Sequence, residues 1–297
     1  MTVSLTRRAT LIGAASLLPF APLRAAVAPG GEALRAAEAR IAALERQNGG
    51  RLGVMVTDSE TGASIAHRRD QRFPLCSTFK FLAAAAVLRR VDAGNEKLDR
   101  RIAYDASDLV TYSPVTQDHV GQGMTLGAIC AAAIEWSDNT AGNLMLRVIG
   151  GPQGLTQFAR SLGDSVTRLD RTEPALNTAI AGDERDTTSP EAMVADFKRI
   201  LLGEELSVAS RQQLETWLID DQVSGKRIRA GLPPAWRIGD KTGSGDNGTA
   251  NTIAILWPPA GAPIVAAVYY TGSSASSDVR NGLHAEIGRI IAEAFLR

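Results

Sequence analysis

Residues Pro74 to Val91 read "PLCSTFKFLAAAAVLRRV". From Phe79 to Leu88 every residue except Lys80 is apolar, which leaves no polar face along this helical stretch. A helix apolar on all sides is at home only inside a domain. Lys80 is therefore the anomaly: an unpaired ammonium is costly to bury, and burial drives its pKa down toward a value useful for accepting a proton. Ser77 stands three residues earlier, on the same helical face and within reach. It follows Pro74 at the helix start, where backbone N–H groups lack partners and the positive end of the helix dipole lies. The pattern predicts a nucleophile, Ser77, activated by Lys80. Spacing alone is weak, since Ser-x-x-Lys arises about once by chance in a chain this long. The apolar setting carries the reading.

Outward from this helix, the chain changes character twice. Upstream, "EALRAAEARIAALERQNGG" places Leu34, Ile41 and Leu44 on one stripe and stops at Gly49 and Gly50, which predicts a helix with a glycine stop. "RLGVMVTDSETGASIAH" predicts two strands around a turn at Glu60 to Gly62. From Phe79 to about Leu218 the segments are Ala/Leu-rich with helical spacing, after which "WRIGDKTG", "NTIAILWPP" and "APIVAAVYYTGS" return to strand character before a last helix. Strands at both ends around a helical middle predict an α+β fold, an antiparallel sheet built from both termini with a helical domain inserted. The expected division is an α/β domain over 29–68 and 219–297 and a helical domain over 69–218. Within the latter, "TRLDRTEPALNTAIAGDERDTTSP" lacks any periodicity for longer than a compact domain tolerates, which marks 168–186 as a functional loop. Thr188 and Glu191 are expected to form a capping box for the helix that follows.

The 297 residues, 44% hydrophobic and 22% charged, suit a globular enzyme with a substantial core. Equal numbers of basic and acidic side chains, 32 each, give no surplus for neutralising phosphates or anionic lipid. Neither nucleic acid nor a membrane surface is an expected partner. The start, "MTVSLTRRATLIGAASLLPFAPLRAAVAPG", has an Arg pair, an apolar run to Leu23 and small residues from Ala26 to Ala28. This predicts an export signal over 1–28, too short and too broken by Pro19 and Pro22 to span a bilayer. Arg7 and Arg8 favour the twin-arginine route, with an ordinary basic leader as the alternative. Loss of Arg7, Arg8 and Arg24 leaves 29 basic against 32 acidic side chains, a mildly acidic mature protein.

Two further motifs complete a set. Ser137-Asp138-Asn139 and Lys241-Thr242-Gly243 each have about a one-in-twenty chance of arising in a sequence of this length. Together with Ser77-x-x-Lys80, and in this order, the chain resembles the class A serine β-lactamases of the penicillin-recognising serine enzymes. The resemblance covers essentially the whole chain after the leader. It implies a five-stranded antiparallel sheet with terminal helices on it, an inserted all-helical domain, and a site between the two. Glu173 and Asn177 in "RTEPALN" match the loop pair that holds the hydrolytic water, which penicillin-binding proteins lack. The resemblance implies that Ser77 attacks the lactam carbonyl, that the N–H groups of Ser77 and Ser244 form the oxyanion hole, and that Ser137 relays a proton to the lactam nitrogen. Lys241, Thr242, Gly243 and Ser244 would face the substrate carboxylate, reinforced by Arg227. Asn139 would bind the side-chain amide, and Tyr112 would stand at the mouth of the site, unless it merely packs in the core. Arg171 and Asp186 would close the loop as an ion pair, Asp138 would anchor structure, and the Glu173–Pro174 peptide would be cis. Lys80 and Glu173 both stand as candidates for the acylation base.

Other chemistries fit less well. His67, His119 and His284 are scattered and no Gly-x-Ser-x-Gly elbow exists, against a Ser-His-Asp esterase. No cluster of His and Cys has metal-ligand spacing, so neither metal nor organic cofactor is expected. A D-alanyl-D-alanine peptidase or a β-lactam sensor remains the alternative, with Glu173 and Asn177 favouring hydrolysis. Cys76 and Cys130 are expected to be free thiols, because the family's partner positions are here Gly245 and Ala84. The expectation is a monomeric periplasmic enzyme that hydrolyses penicillins and cephalosporins and so confers β-lactam resistance.

Overall fold

A computed structural model of the chain describes residues 1–2 and 31–296. Apart from its first two residues, the export segment expected over 1–28 lies outside the described residues. Helix α1 (Gly31–Asn48) leads into strands β1 (Arg51–Asp58) and β2 (Ser64–His67), and the two-residue β3 (Phe73–Pro74) precedes α2 (Phe79–Asp92). The two-residue β4 (Arg101–Ile102) and β5 (Met124–Thr125) come before α3 (Leu126–Glu135), α4 (Asn139–Ile149) and α5 (Gly151–Ser161). After β6 (Thr187–Thr188) follow α6 (Pro190–Leu201), α7 (Val208–Ile219) and the single turn α8 (Ile228–Gly231). Strands β7 (Arg237–Gly245), β8 (Thr249–Trp257) and β9 (Ile264–Thr271) and helix α9 (Ser277–Ala294) close the chain.

The long strands form one antiparallel sheet in the order β2-β1-β9-β8-β7. Successive side chains of a strand point to opposite faces. Ile253, Ile255, Val265, Ala267 and Tyr269 accordingly join the core on the side of α2 to α7. Their neighbours Ala254, Leu256, Ile264, Ala266, Val268 and Tyr270 join the core under α1 and α9. Because both faces are covered, β8 from Ile253 to Trp257 and β9 from Ile264 to Tyr270 read as continuous apolar runs rather than alternating ones. Helix α2 is buried from Phe79 to Leu88, Lys80 included, as its all-apolar surface requires.

Local signals fall where the chain needs them. Helix α1 ends at Gly49 and Gly50, both left-handed at φ 67° and 70°, and β1 and β2 join through the turn after Asp58. One expectation is corrected: Thr188 lies in β6, and the cap of α6 is Ser189, whose Oγ accepts from Ala192 N at 3.1 Å. Pro190 at the first helical position explains the shift, since its fixed φ starts the helix there. The loop over 168–186 contains only one short 3-10 turn, Ala175–Asn177.

Candidate active site

The nucleophile position is made by a tight turn. Cys76, with φ 44°, opens a 3-10 turn over Cys76–Thr78 that runs directly into α2, so Ser77 sits at the head of the buried helix. Asn251 of β8 ties this turn to the sheet, its Nδ2 donating to Pro74 O at 2.8 Å and Leu75 O at 3.2 Å. Gly243 lets β7 come close, since a Cβ there would lie 3.0 Å from Leu75 O and 3.2 Å from Ser77 N. Gly245 is still tighter, with Asn177 O at 2.6 Å and Cys76 Sγ at 2.7 Å from a hypothetical Cβ.

Lys80 reaches four oxygens from inside α2. Its Nζ donates to Ser77 Oγ at 3.1 Å, Ser137 O at 2.7 Å and Asn139 Oδ1 at 2.7 Å, and stands 3.2 Å from Glu173 Oε1. Neither the Lys80 nor the Glu173 side chain is exposed. Burial lowers the Lys80 pKa and the Glu173 charge opposes it. Ser77 Oγ also lies 3.5 Å from Glu173 Oε1. Asn177 Nδ2 donates to Glu173 Oε2 at 2.5 Å, while Asn177 Oδ1 is buried without a partner among the described residues.

Two asparagines four residues apart on one face of α4 tie neighbouring segments to it. Asn139 Nδ2 donates to Thr111 O at 2.8 Å, fixing the segment that carries Tyr112. Asn143 grips the backbone of Glu173 twice, donating to its O at 3.0 Å and accepting from its N at 2.9 Å. The sequence motifs did not reveal Asn143; its i+4 spacing from Asn139 was the available signal. Asp138 is fully buried and caps α4 through Ala141 N at 2.8 Å while accepting from Val115 N, Thr116 N and Thr116 Oγ1. It is an anchor and touches no part of the cleft.

On the sheet side, Lys241 Nζ donates to Ser137 Oγ at 3.0 Å and Thr242 O at 2.9 Å. Burial pushes its pKa down to about 7 against the attraction of Asp221. Arg227 Nη1 donates to Gly243 O and Asn251 O, its Nη2 to Ser244 Oγ at 2.7 Å, and its Nε to Asn281 Oδ1 at 3.0 Å. Burial lowers the Arg227 pKa to about 10, which leaves it a cation at neutral pH. The loop root is closed by Arg171 Nε on Asp186 Oδ2 at 2.6 Å, with Asp186 Oδ1 accepting from the amides of Asp170 and Arg171. The Glu173–Pro174 peptide is cis.

These residues surround one cleft of about 370 Å³. Ser77, Tyr112, Ser137, Asn139, Asn177, Arg227, Thr242, Gly243 and Ser244 line it, with Val223 as a wall residue the motifs did not indicate. Lys80, Glu173 and Lys241 lie fully or almost fully buried around it. Tyr112 is 54% exposed at φ 65°, so it stands at the mouth and not in the core. A serine hydroxyl between a buried lysine and a buried carboxylate, facing a cationic wall, is equipped for acyl transfer from a substrate with its own carboxylate.

Comparison with known proteins agrees. The family model described as the β-lactamase enzyme family matches residues 36–295. β-Lactamase AST-1 of Nocardia asteroides is 49% identical over 87% of this chain and 83% of its own length. β-Lactamase OXY-2 of Klebsiella oxytoca is 47% identical over 84% and 86%. The solved structure of the ancestral class A β-lactamase GNCA is 59% identical, with TM-score 0.86 over 87% of this chain and all of that one. A nucleophile, loop and sheet edge arranged in this way, in a chain matched along nearly its whole described length, place it in the β-lactamase enzyme family as a class A serine β-lactamase, a hydrolase of β-lactams.

Proposed function

We propose that this enzyme opens the β-lactam ring of penicillins and cephalosporins in two steps on Ser77. Ser77 Oγ attacks the lactam carbonyl and its proton passes to the Lys80–Glu173 pair, both members of which lie within 3.5 Å of Oγ. The developing oxyanion faces the backbone N–H groups of Ser77 and Ser244, an arrangement worth about 3 to 4 kcal/mol per donor. The C–N bond breaks, and Ser137 relays to the nitrogen the proton that the pair took from Ser77, its Oγ oriented for this by Lys241 Nζ at 3.0 Å. Thr242, Gly243, Ser244 and Arg227 receive the substrate carboxylate, Asn139 its side-chain amide, and Tyr112 borders its entry. Water then attacks the ester, Glu173 takes its proton, and Ser77 leaves with a proton returned from the same pair. The observation that carries this second step is the loop pair: Asn177 holds Glu173 Oε2 and keeps an unpartnered Oδ1 for a proton of the water.

The nucleophile, the loop pair and the carboxylate-binding residues all belong to the same chain, and the enzyme is taken to act as a monomer. No helix among the described residues is long and apolar enough to cross a membrane. With Arg7, Arg8 and the apolar run to Leu23, this supports export to the periplasm by the twin-arginine route. The site lies between β7 and the α2 to α5 helices, which supports a helical unit over 69–218 inserted into an α/β unit over 29–68 and 219–297.

The test is mass spectrometry after mixing with benzylpenicillin. Glu173→Ala is expected to keep a lasting adduct on Ser77, because a general base contributes about a hundred- to ten-thousand-fold to such a step. Ser77→Ala should show no adduct and the parent should return rapidly to free enzyme. A parent that stayed acylated for hours would instead mark a β-lactam sensor or a peptidase.

A further inference from the structure

Away from the catalytic cleft, three guanidinium groups from three separate segments line a second open cleft of about 510 Å³. Arg72 comes from the segment before β3, Arg160 from the last turn of α5 and Arg168 from the root of the 168–186 loop. Like charges gathered at one surface repel unless an anion compensates them. The only carboxylate among the lining residues is Asp170, already held by Arg168 through Nε at 2.9 Å and Nη2 at 2.6 Å.

Arg72 and Arg160 form no ion pair with a described carboxylate. Each is fixed instead through a single nitrogen. Arg72 Nη1 donates to Val166 O at 2.8 Å and Thr187 Oγ1 at 3.1 Å, and Arg160 Nη1 donates to Asp164 O at 2.5 Å and Thr167 O at 2.8 Å. Asp164 and Asp196 lie close by. Asp164 Oδ1 is taken by the amides of Val166 and Thr167, and its Oδ2 is buried with no hydrogen-bond partner among the described residues. The Arg160 charge acts on Asp196, but neither carboxylate forms an ion pair with Arg160. Both arginines thus keep donors on Nε and Nη2 that no described residue engages, while their positions are already set by backbone oxygens. A guanidinium fork with two free N–H groups matches the edge of a tetrahedral oxyanion, and prior tethering removes much of the ordering cost of binding.

We propose that this cleft is a binding site for a small dianionic oxyanion of the phosphate or sulfate type, held by the free nitrogens of Arg72 and Arg160 and competing with Asp170 for Arg168. Its occupancy reaches the catalytic loop by a short path. Asp170 Oδ2 accepts from Asp186 N at 3.2 Å, and Asp186 holds Arg171 at the loop root. The side chain of Gln157 on α5 lines the same wall and offers a way to change its charge without removing an arginine.

Calorimetric titration of the full chain with inorganic phosphate, and in parallel sulfate, at ionic strength held constant with chloride, tests the site. Saturable one-to-one binding is expected, with amide shifts in the NMR spectrum concentrated between Ser165 and Arg171. Arg160→Gln should weaken it by about ten- to a hundredfold, the size of a lost charge-assisted hydrogen bond. Gln157→Glu should weaken it at least as much by placing a like charge on the anion. If Arg160→Gln fails to fold, Gln157→Glu decides alone. Absence of saturable binding, binding that Gln157→Glu leaves unchanged, or amide shifts confined to Ser77, Ser137 and Ser244 would overturn the proposal.

Discussion

Lys80 and Glu173, both without solvent exposure and 3.2 Å apart, exist as a buried pair whose members each keep the other soluble in the interior. Such pairs are stable only when their remaining valences are satisfied, and Asn139, the Ser137 carbonyl and Asn177 do that here. Asn143 acts through the Glu173 backbone and not on substrate. Asn143→Ala removes two hydrogen bonds of about 0.5 to 1.5 kcal/mol each, so kcat for a good penicillin should fall roughly tenfold while acyl-enzyme builds up in the steady state. An unchanged kcat would show that the loop holds Glu173 without it. Arg227, tied to Gly243, Asn251 and Asn281, presents Nη2 beside Ser244 Oγ. Arg227→Ala should lower kcat/KM by about 1.5 to 3 kcal/mol for substrates held by their carboxylate, and equal rates for variant and parent across penicillins and cephalosporins would assign it to structure alone. Ser77 with Lys80 was legible from the residues themselves, because the two lie one helical turn apart, whereas Glu173, Asn177, Lys241 and Arg227 came only with the family resemblance. Asn143 and Asn251 were not legible, because their partners lie 30 and 177 residues away.

Elements were legible to the extent that burial is one-sided or complete. The stretch of α2 from Phe79 to Leu88, apolar but for Lys80, and the apolar runs Ile253–Trp257 of β8 and Ile264–Tyr270 of β9 declare themselves, since a segment covered on every side carries few polar residues to blur its reading. The family resemblance implied five antiparallel strands but not their order β2-β1-β9-β8-β7, because pairing between strands some 200 residues apart, as between β1 and β9, leaves no local mark. The two-residue bridges β3 to β6 left none either, being fixed by the packing of the loops they join. At the start of α6 the local signal was real but misplaced by one residue, with Ser189 and not Thr188 accepting from the helix N–H groups. Ser189→Ala should therefore cost about 1 kcal/mol, within the usual range for such caps. Thr188 is engaged elsewhere, in a hydroxyl pair with Thr167 at 2.7 Å. Urea unfolding of the two alanine variants distinguishes the assignments: if only Thr188→Ala changed the unfolding midpoint, the cap at Ser189 would be refuted.

Across the whole molecule, stability at different pH reflects several buried groups that titrate far from their ordinary range. Burial keeps His284 neutral down to about 3, with its ring nitrogens against Thr252 Oγ1 and Ala250 O. The unfolded chain takes up that proton near 6.5 and the fold does not, so stability falls as pH drops from 6.5 toward 3. Asp196 acts in the opposite sense. Burial, and next the charge of Asp164, push its pKa up to about 9, so the fold keeps a proton that the unfolded chain has released above 3.8. Stability from this group is complete below 3.8 and is lost progressively as pH rises toward 9, at no more than about 1.4 kcal/mol per pH unit. Asp240, raised by burial to about 6 against the pull of Arg229, adds to the same loss at the acidic end of that range. The protonated Asp196 can donate to Asp164, whose charge it faces, and an asparagine can make the same donation at any pH. Asp196→Asn should therefore match the parent near pH 4 and become progressively the more stable of the two between about pH 5 and about pH 8. Its denaturation midpoint in urea, measured at intervals across that range, should diverge steadily from that of the parent. Two curves that stay parallel from acid to alkaline pH would mean that Asp196 is ionised in the fold and that the buried pair shares no proton.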